Sequence, residues 1–209
     1  MTIFEGQPLL AIVRLREPSP VGEIVDALRR GGIGPVEVTA ETPGALEAVR
    51  AAAAGGGPIG AGTIGSVAEA NTFAEAGAAF LVSPGVNVDV VRAAVELGVP
   101  AVPGALSPTE ISTAVDAGAE AVKLFPAGPG GPDYLRALRG PFASVAFVPT
   151  GGIGRGDVEA WLDAGAACVG LGSTLIGSAP PSTDRELEAL AERARDAAER
   201  ANAALRRRT

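Results

Sequence analysis

Eight short apolar runs recur along the chain, their starts 19 to 27 residues apart, and that cadence limits the folds open to it. They are Leu9–Val13, Val36–Val38, Ile59–Ala61, Phe80–Val82, Val99–Val102, Ala121–Leu124, Ala146–Val148 and Ala167–Gly170. Each is apolar at successive positions rather than alternating, the pattern of a strand buried on both faces of a parallel sheet. The intervals carry helical patterns with readable ends. Ser66-Val67-Ala68-Glu69, Ser107-Pro108-Thr109-Glu110 and Thr183-Asp184-Arg185-Glu186 read as capping boxes, in which a hydroxyl and a carboxylate satisfy the free N–H groups of a helix start. Pro108 falls where its missing N–H costs nothing. Ala76-Gly77-Ala78, Ala117-Gly118-Ala119 and Ala164-Gly165-Ala166 each place a glycine at a helix exit just before the next strand. Eight strands alternating with eight helices predict an α/β chain folded as a (β/α)8 TIM barrel, a single domain over 1–209 with a C-terminal helix over about 183–206. A doubly wound open sheet is the competitor; no glycine fingerprint follows Leu9–Val13 to support it.

Composition narrows the chemistry. The chain has no His and one Cys, Cys168, which removes Ser-His-Asp and Cys-His triads, His-based zinc sites and disulfide frameworks. Of its 17 basic side chains one alone, Lys123, is lysine. The net charge of −7 leaves no basic stripe for nucleic acid. No apolar run approaches the roughly 20 residues of a membrane helix, and Leu9–Val13 is too short for a signal-peptide core. The expectation is a cytoplasmic protein with no nucleic-acid or membrane partner and no metal or other cofactor.

Barrel enzymes carry their sites at the carboxyl ends of the strands, so those positions come first. Lys123 lies in Ala121-Val122-Lys123-Leu124-Phe125-Pro126, a strand with no other charge. A lysine at a strand end is ordinarily a snorkelling or ion-paired side chain. Here every other basic position is arginine, which cannot lose its proton, whereas a desolvated amine can attack a carbonyl to form a Schiff base. Glu37, between Val36 and Val38, is either a structural ion pair with Arg14 or Lys123 or the general acid/base that moves protons for that Schiff base. Thr150-Gly151-Gly152 and Gly170-Leu171-Gly172-Ser173 follow the last two strands, where backbone N–H groups can approach an anion. Arg14 and Thr63 suit a carboxylate.

These residues resemble a known family. Glu37-Val38-Thr39, Gly60-Ala61-Gly62-Thr63, Ser83-Pro84-Gly85, Pro103-Gly104, Lys123-Leu124-Phe125-Pro126, Pro149-Thr150-Gly151-Gly152 and Gly172-Ser173 occur in the order seen in 2-keto-3-deoxy-6-phosphogluconate (KDPG) aldolases, class I enzymes that release pyruvate. The likeness runs from about Leu9 to Ser173. It implies a barrel, a homotrimer and no cofactor. By resemblance Lys123 is the Schiff-base lysine and Glu37 the general acid/base. Thr63 holds the pyruvyl carboxylate, Pro84 and Phe125 pack around the substrate, and Thr150 contacts its chain. Gly151, Gly152, Gly172 and Ser173 bind phosphate. Two positions depart from the pattern: Glu41, where some members carry Arg, and Gly128, where many carry Glu. Arg14 resembles an arginine other members carry after the first strand, and so can supply the guanidinium that position 41 lacks.

The expected activity is reversible cleavage of 2-dehydro-3-deoxy-6-phosphogluconate to pyruvate and glyceraldehyde 3-phosphate, with cleavage of 4-hydroxy-2-oxoglutarate to pyruvate and glyoxylate as a second activity open to the same site. The rivals are a 2-dehydro-3-deoxy-6-phosphogalactonate aldolase, a phosphate-binding isomerase with no covalent step, and a non-catalytic trimeric scaffold.

Overall fold

A computed structural model describes residues 3–177 and 179–208. Seven strands form one parallel sheet: β1 (Leu9–Val13), β2 (Val36–Thr39), β3 (Ile59–Gly62), β4 (Phe80–Ser83), β5 (Ala101–Ala105), β6 (Lys123–Leu124) and β7 (Val169–Leu171). Their order is β6-β5-β4-β3-β2-β1-β7, so chain neighbours pair in turn and the last strand returns beside the first. Helices follow the strands: α1 (Val21–Arg30), α2 (Ala45–Ala54), α3 (Val67–Glu75), α4 (Val88–Glu96), α5 (Pro108–Asp116), α6 (Gly131–Arg139), α7 (Val158–Asp163), α8 (Ser173–Ile176) and α9 (Asp184–Arg208). None of them is long and apolar enough to cross a membrane.

The strands form along the expected apolar runs, though the sixth is confined to Lys123–Leu124 rather than Ala121–Leu124 and the last runs Val169–Leu171 rather than Ala167–Gly170. The fifth begins at Ala101 rather than Val99 and extends to Ala105. The seventh expected strand, Ala146–Val148, makes no regular ladder strand; Phe147 and Thr150 form isolated parallel bridges to Val122 and Gly170. The observed sheet is therefore seven-stranded where eight strands were expected. The physical reason lies in Pro149, which has no N–H to give to a ladder. The segment is nevertheless bonded on both sides: Val148 donates to Val122 and Leu124 to Val148, while Ala167 and Gly170 donate to Phe147 and Pro149.

All three capping boxes form. Ser66 with Glu69 and Ser107 with Glu110 bond reciprocally at the starts of α3 and α5, and Thr183 with Glu186 does so at the start of α9. The backbone and side-chain donors that converge on Glu110 and Glu186, those of Ser107 and Ser182 foremost, hold both carboxyls below their usual range. At the exits, Gly77, Gly118 and Gly165 adopt φ of 92°, 100° and 99°, the left-handed conformation that reverses the chain toward the next strand.

Two apolar clusters divide the interior. The larger fills the layer between sheet and helices. The smaller lies on the other face of the strands and comprises Leu10, Ile12, Phe80, Val82, Val102, Ala121, Val148 and Cys168, with Phe4 packed edge-on to Phe80 at 5.8 Å. Leu10 and Ile12, Phe80 and Val82, and Ala121 and Lys123 are two apart, so each pair shares that inner face. Lys123 and Glu37 project from it, above an apolar floor. Burial in that floor pushes the Cys168 thiol well above its usual range, leaving an inert small hydrophobe.

Candidate active site

Lys123 and Glu37 meet inside the sheet. The Lys123 Nζ lies 3.7 Å from Glu37 Oε1, with side-chain exposures of 6% and 0%. Neither Glu37 oxygen accepts a hydrogen bond among the described residues. The pair thus has the charge attraction of an ion pair without the directed bonds that usually offset the cost of burying two charges. Nζ also lies 5.2 Å from the Phe125 ring centroid, over its face. Glycine makes this arrangement possible: a Cβ on Gly62 would fall on the Glu37 carboxylate, and one on Gly60 would strike the Phe80 ring. The Gly60-Ala61-Gly62 pattern therefore clears space for a carboxylate on the neighbouring strand.

A second pair stands at the rim. Arg14 Nε lies 3.3 Å from Glu41 Oε1, both side chains being about half exposed. Another nitrogen of the same guanidinium donates to Thr63 Oγ1 at 3.0 Å. Thr63 has φ 58°, the sole positive value of a non-glycine residue among those described. Holding a β-branched residue there costs on the order of 1–3 kcal/mol, and such strain concentrates at functional sites. The residues after it pin it: Ile64 N–H donates to Val82 O and Asn87 Nδ2 donates to Gly65 O. Glu41, the departure noted in the sequence, is thus the partner of Arg14. Thr42 ties the same exits together, receiving the Leu15 N–H at 3.2 Å and bonding to Thr39 at 3.0 Å.

A cavity of about 230 Å³ opens above the lysine. Lys123, Phe125, Arg14 and Thr150 line it with Gly151, Gly152, Gly172 and Ser173. The structure therefore brings together eight of the eleven singled-out residues around one space. Glu37 lies fully buried behind Lys123, Thr63 reaches the site through Arg14, and Pro84 is exposed and outside the lining. Thr150 is buried and donates to Val148 O, and a Cβ on Gly170 would collide with its hydroxyl. At Gly151 a Cβ would come within 2.9 Å of the Phe125 ring. Gly128, the second departure, packs backbone to backbone on the same loop: its N–H donates to Gly151 O at 2.8 Å, and a Cβ there would lie 3.1 Å from Gly152 Cα.

Sequence reasoning did not single out Thr174, Ile12 or Ile176, all of which line the cavity. Ile12 was within reach, since it stands two residues before Arg14 on the inner face. Thr174 donates to Ile153 O at 2.8 Å, a link between distant loops that local sequence does not announce.

The family model and the curated relatives agree on one family. The family model described as "Aldolase: KDPG and KHG aldolase" matches residues 2–186. The 2-dehydro-3-deoxy-6-phosphogalactonate aldolase of Escherichia coli K12 is 35% identical over 176 residues, covering 80% of this chain and 84% of its own. The 2-dehydro-3-deoxy-phosphogluconate aldolase of Treponema pallidum is 41% identical over 162 residues, 73% of this chain and 76% of its own. A solved structure described as native KDPGal superposes with a TM-score of 0.87 at 31% identity, over 95% of this chain and 96% of that one. A Legionella pneumophila KDPG aldolase, solved with pyruvate captured as a covalent carbinolamine intermediate, superposes with a TM-score of 0.80 at 29% identity, over 94% and 95%.

Proposed function

The chain belongs to the KDPG and KHG aldolase family, and on that premise we propose that it is a class I pyruvate aldolase, a carbon–carbon lyase that cleaves 2-dehydro-3-deoxy-6-phosphogluconate through a Schiff base on Lys123. The observation that carries this reading is the buried Lys123–Glu37 pair under the cavity, with both Glu37 oxygens free of hydrogen bonds among the described residues. Such a pair is poorly built for stability and well built for proton transfer.

In this reading Glu37 takes a proton from the Lys123 ammonium, and Nζ attacks the C2 carbonyl of the substrate. Glu37 gives that proton to the departing hydroxyl, and the loss of water from the carbinolamine leaves the iminium, which withdraws electrons from the C3–C4 bond, and a Glu37 carboxylate free to act as a base. Glu37, directly or through a water, then removes the proton of the C4 hydroxyl. The C3–C4 electron pair flows into the iminium, and glyceraldehyde 3-phosphate leaves. The enamine is protonated at C3 and hydrolysed to pyruvate, restoring the amine. Thr63 and Arg14, bonded to each other at the rim with Glu41 beside the guanidinium, receive the substrate carboxylate. Phe125 covers one side of the reacting carbon, and Pro84 approaches from the rim. Thr150 contacts the sugar chain, and the backbone of Gly151, Gly152, Gly172 and Ser173 binds the phosphate.

The segment at 146–150, bonded to β6 on one side and to the region of β7 on the other, supports its reading as the eighth strand of a (β/α)8 barrel spanning 1–209. A homotrimer in the cytoplasm completes the proposal; sedimentation equilibrium at three times the 20.7 kDa chain mass is the expected result.

The test is pyruvate release from the phosphogluconate substrate, followed with a pyruvate-specific coupled assay. Turnover supports the reading, and its absence with correctly folded protein contradicts it. The E. coli relative favours a second reading, the galactonate epimer as substrate. The same assay on both epimers separates the two, and adding 4-hydroxy-2-oxoglutarate measures the activity that needs no phosphate site.

A further inference from the structure

The anion end of the cavity is built from loops that have little side-chain packing of their own. Gly151 and Gly152 form one wall, and Gly170, Gly172 and Gly177 contribute to the other. A cradle of bare backbone keeps its shape only if something outside it fixes the spacing of the loops. Three side-chain contacts do so. Thr174 joins the walls directly through its bond to Ile153 O. Arg193, in α9, donates Nε to Leu175 O at 2.9 Å and a terminal nitrogen to Ile176 O at 3.1 Å. Arg155, in the turn that follows the first glycine wall, makes the weakest of the three, a part-exposed pair at 3.6 Å with Asp196, whose carboxylate also accepts from Arg200 Nε at 3.1 Å.

Arg193 and Asp196 are three residues apart, so they share one face of α9 and meet both walls from behind. The helix itself is firmly seated, with Leu190, Ala191, Ala194, Ala197 and Ala201 buried. Burial, and the charge of Arg155 nearby, lower the Arg193 guanidinium from its ordinary value, which places the two arginines in one electrostatic neighbourhood.

We propose that this single turn of α9 is a brace that sets the spacing of the two glycine walls, and that Arg193 is a positioning residue for recognition of the substrate's phosphate. The inference rests on the phosphate assignment made above and adds the residue that governs it. Arg193 is not among the residues that line the cavity. It acts through the carbonyls of Leu175 and Ile176, and the planar guanidinium reaches both at once, which an ammonium cannot do in the same geometry. A substrate with no phosphate does not use these walls and is indifferent to their spacing.

The experiment compares wild type, Arg193→Met, Arg193→Lys and Asp196→Asn on the phosphorylated 2-keto-3-deoxy sugar acid and on the same acid without phosphate. Borohydride trapping with pyruvate alone runs alongside. Arg193→Met is expected to raise KM for the phosphorylated acid about 10-fold with kcat kept, the scale of loss when the support of a binding group is removed. The constants for the phosphate-free acid and the yield of trapped pyruvate stay at wild-type values. Arg193→Lys recovers part of the loss, and Asp196→Asn shows the same split in smaller measure, which also serves if Arg193→Met fails to fold. Equal loss on both substrates, or no loss on either, overturns the brace. If wild type does not discriminate between the two acids, the phosphate assignment fails and the brace with it.

Discussion

Two carboxylate–cation pairs sit at the carboxyl end of the sheet, and distance alone ranks them wrongly. Arg14 and Glu41 are the closer pair at 3.3 Å, yet they stand about half exposed. Water and salt screen them, and an exposed pair of this kind contributes about 0–1 kcal/mol. Lys123 and Glu37 are farther apart at 3.7 Å, but exposures of 6% and 0% take both charges out of water. Burial of that sort is costly, and breaking such a pair from one side costs about 3–5 kcal/mol. The rim pair orients a guanidinium that already points at solvent. In the proposed mechanism the buried pair exchanges a proton between amine and carboxylate. On that proposal, a chain that uses arginine at its other 16 basic positions carries its one lysine where a proton must be able to leave.

The largest expected break of this contrast is Lys123→Arg. It keeps the positive charge beside Glu37 and removes the nucleophile, so cleavage falls by about 10⁴-fold or more. A structural pair would tolerate the change, and a rate assay on folded protein decides. Next comes Glu37→Gln, close in shape and unable to act as a base. We expect kcat/KM to fall about 10²- to 10³-fold while pyruvate still becomes trapped on Lys123, more slowly. Unchanged kcat/KM would leave Glu37 as a packing residue.

Gly62→Ala sharpens the contrast from the neighbouring strand. Its new methyl group must displace the Glu37 carboxylate, at a stability cost of about 1–3 kcal/mol read from denaturant unfolding. Activity falls with it, whereas a passive glycine would give unchanged stability and rate.

The smallest effects belong to the rim. Arg14→Ala is expected to raise KM for pyruvate-containing substrates about 10-fold, the loss of one charge-assisted contact. Glu41→Ala, which removes only the exposed partner, changes KM by about 2-fold or less. Equal effects of the two substitutions would contradict the assignment of Arg14 to the substrate carboxylate.

What was legible in the sequence follows from what is local. The strand positions and all three capping boxes follow from burial on both faces and from short-range hydrogen bonding, and both signals lie in adjacent residues. Lys123 and Glu37 stood out because a charge inside an apolar strand has few bland explanations. The Ala146–Val148 segment carries a strand's apolar pattern and bonds to both neighbours, yet it forms isolated bridges rather than a ladder strand, and Pro149 has no N–H to add to them. Long-range ties were silent. Nothing near Thr174 announces a bond to Ile153, and Arg193 reads as one more polar position on an amphipathic helix until α9 is placed behind the glycine walls. The Glu41 departure looked like a lost substrate contact. In three dimensions it is the carboxylate that steadies Arg14.

The central claim is that the amine of Lys123 forms a covalent bond with the substrate's carbonyl carbon, and the composition makes this unusually direct to test. Incubation with pyruvate and borohydride, followed by peptide mass spectrometry, offers the reagent one lysine side chain and the N-terminal amine. The account predicts a single reduced pyruvyl adduct on the peptide containing Lys123, absent from Lys123→Arg. A native, folded protein that gives no adduct there, or an adduct at the N-terminus alone, would contradict it.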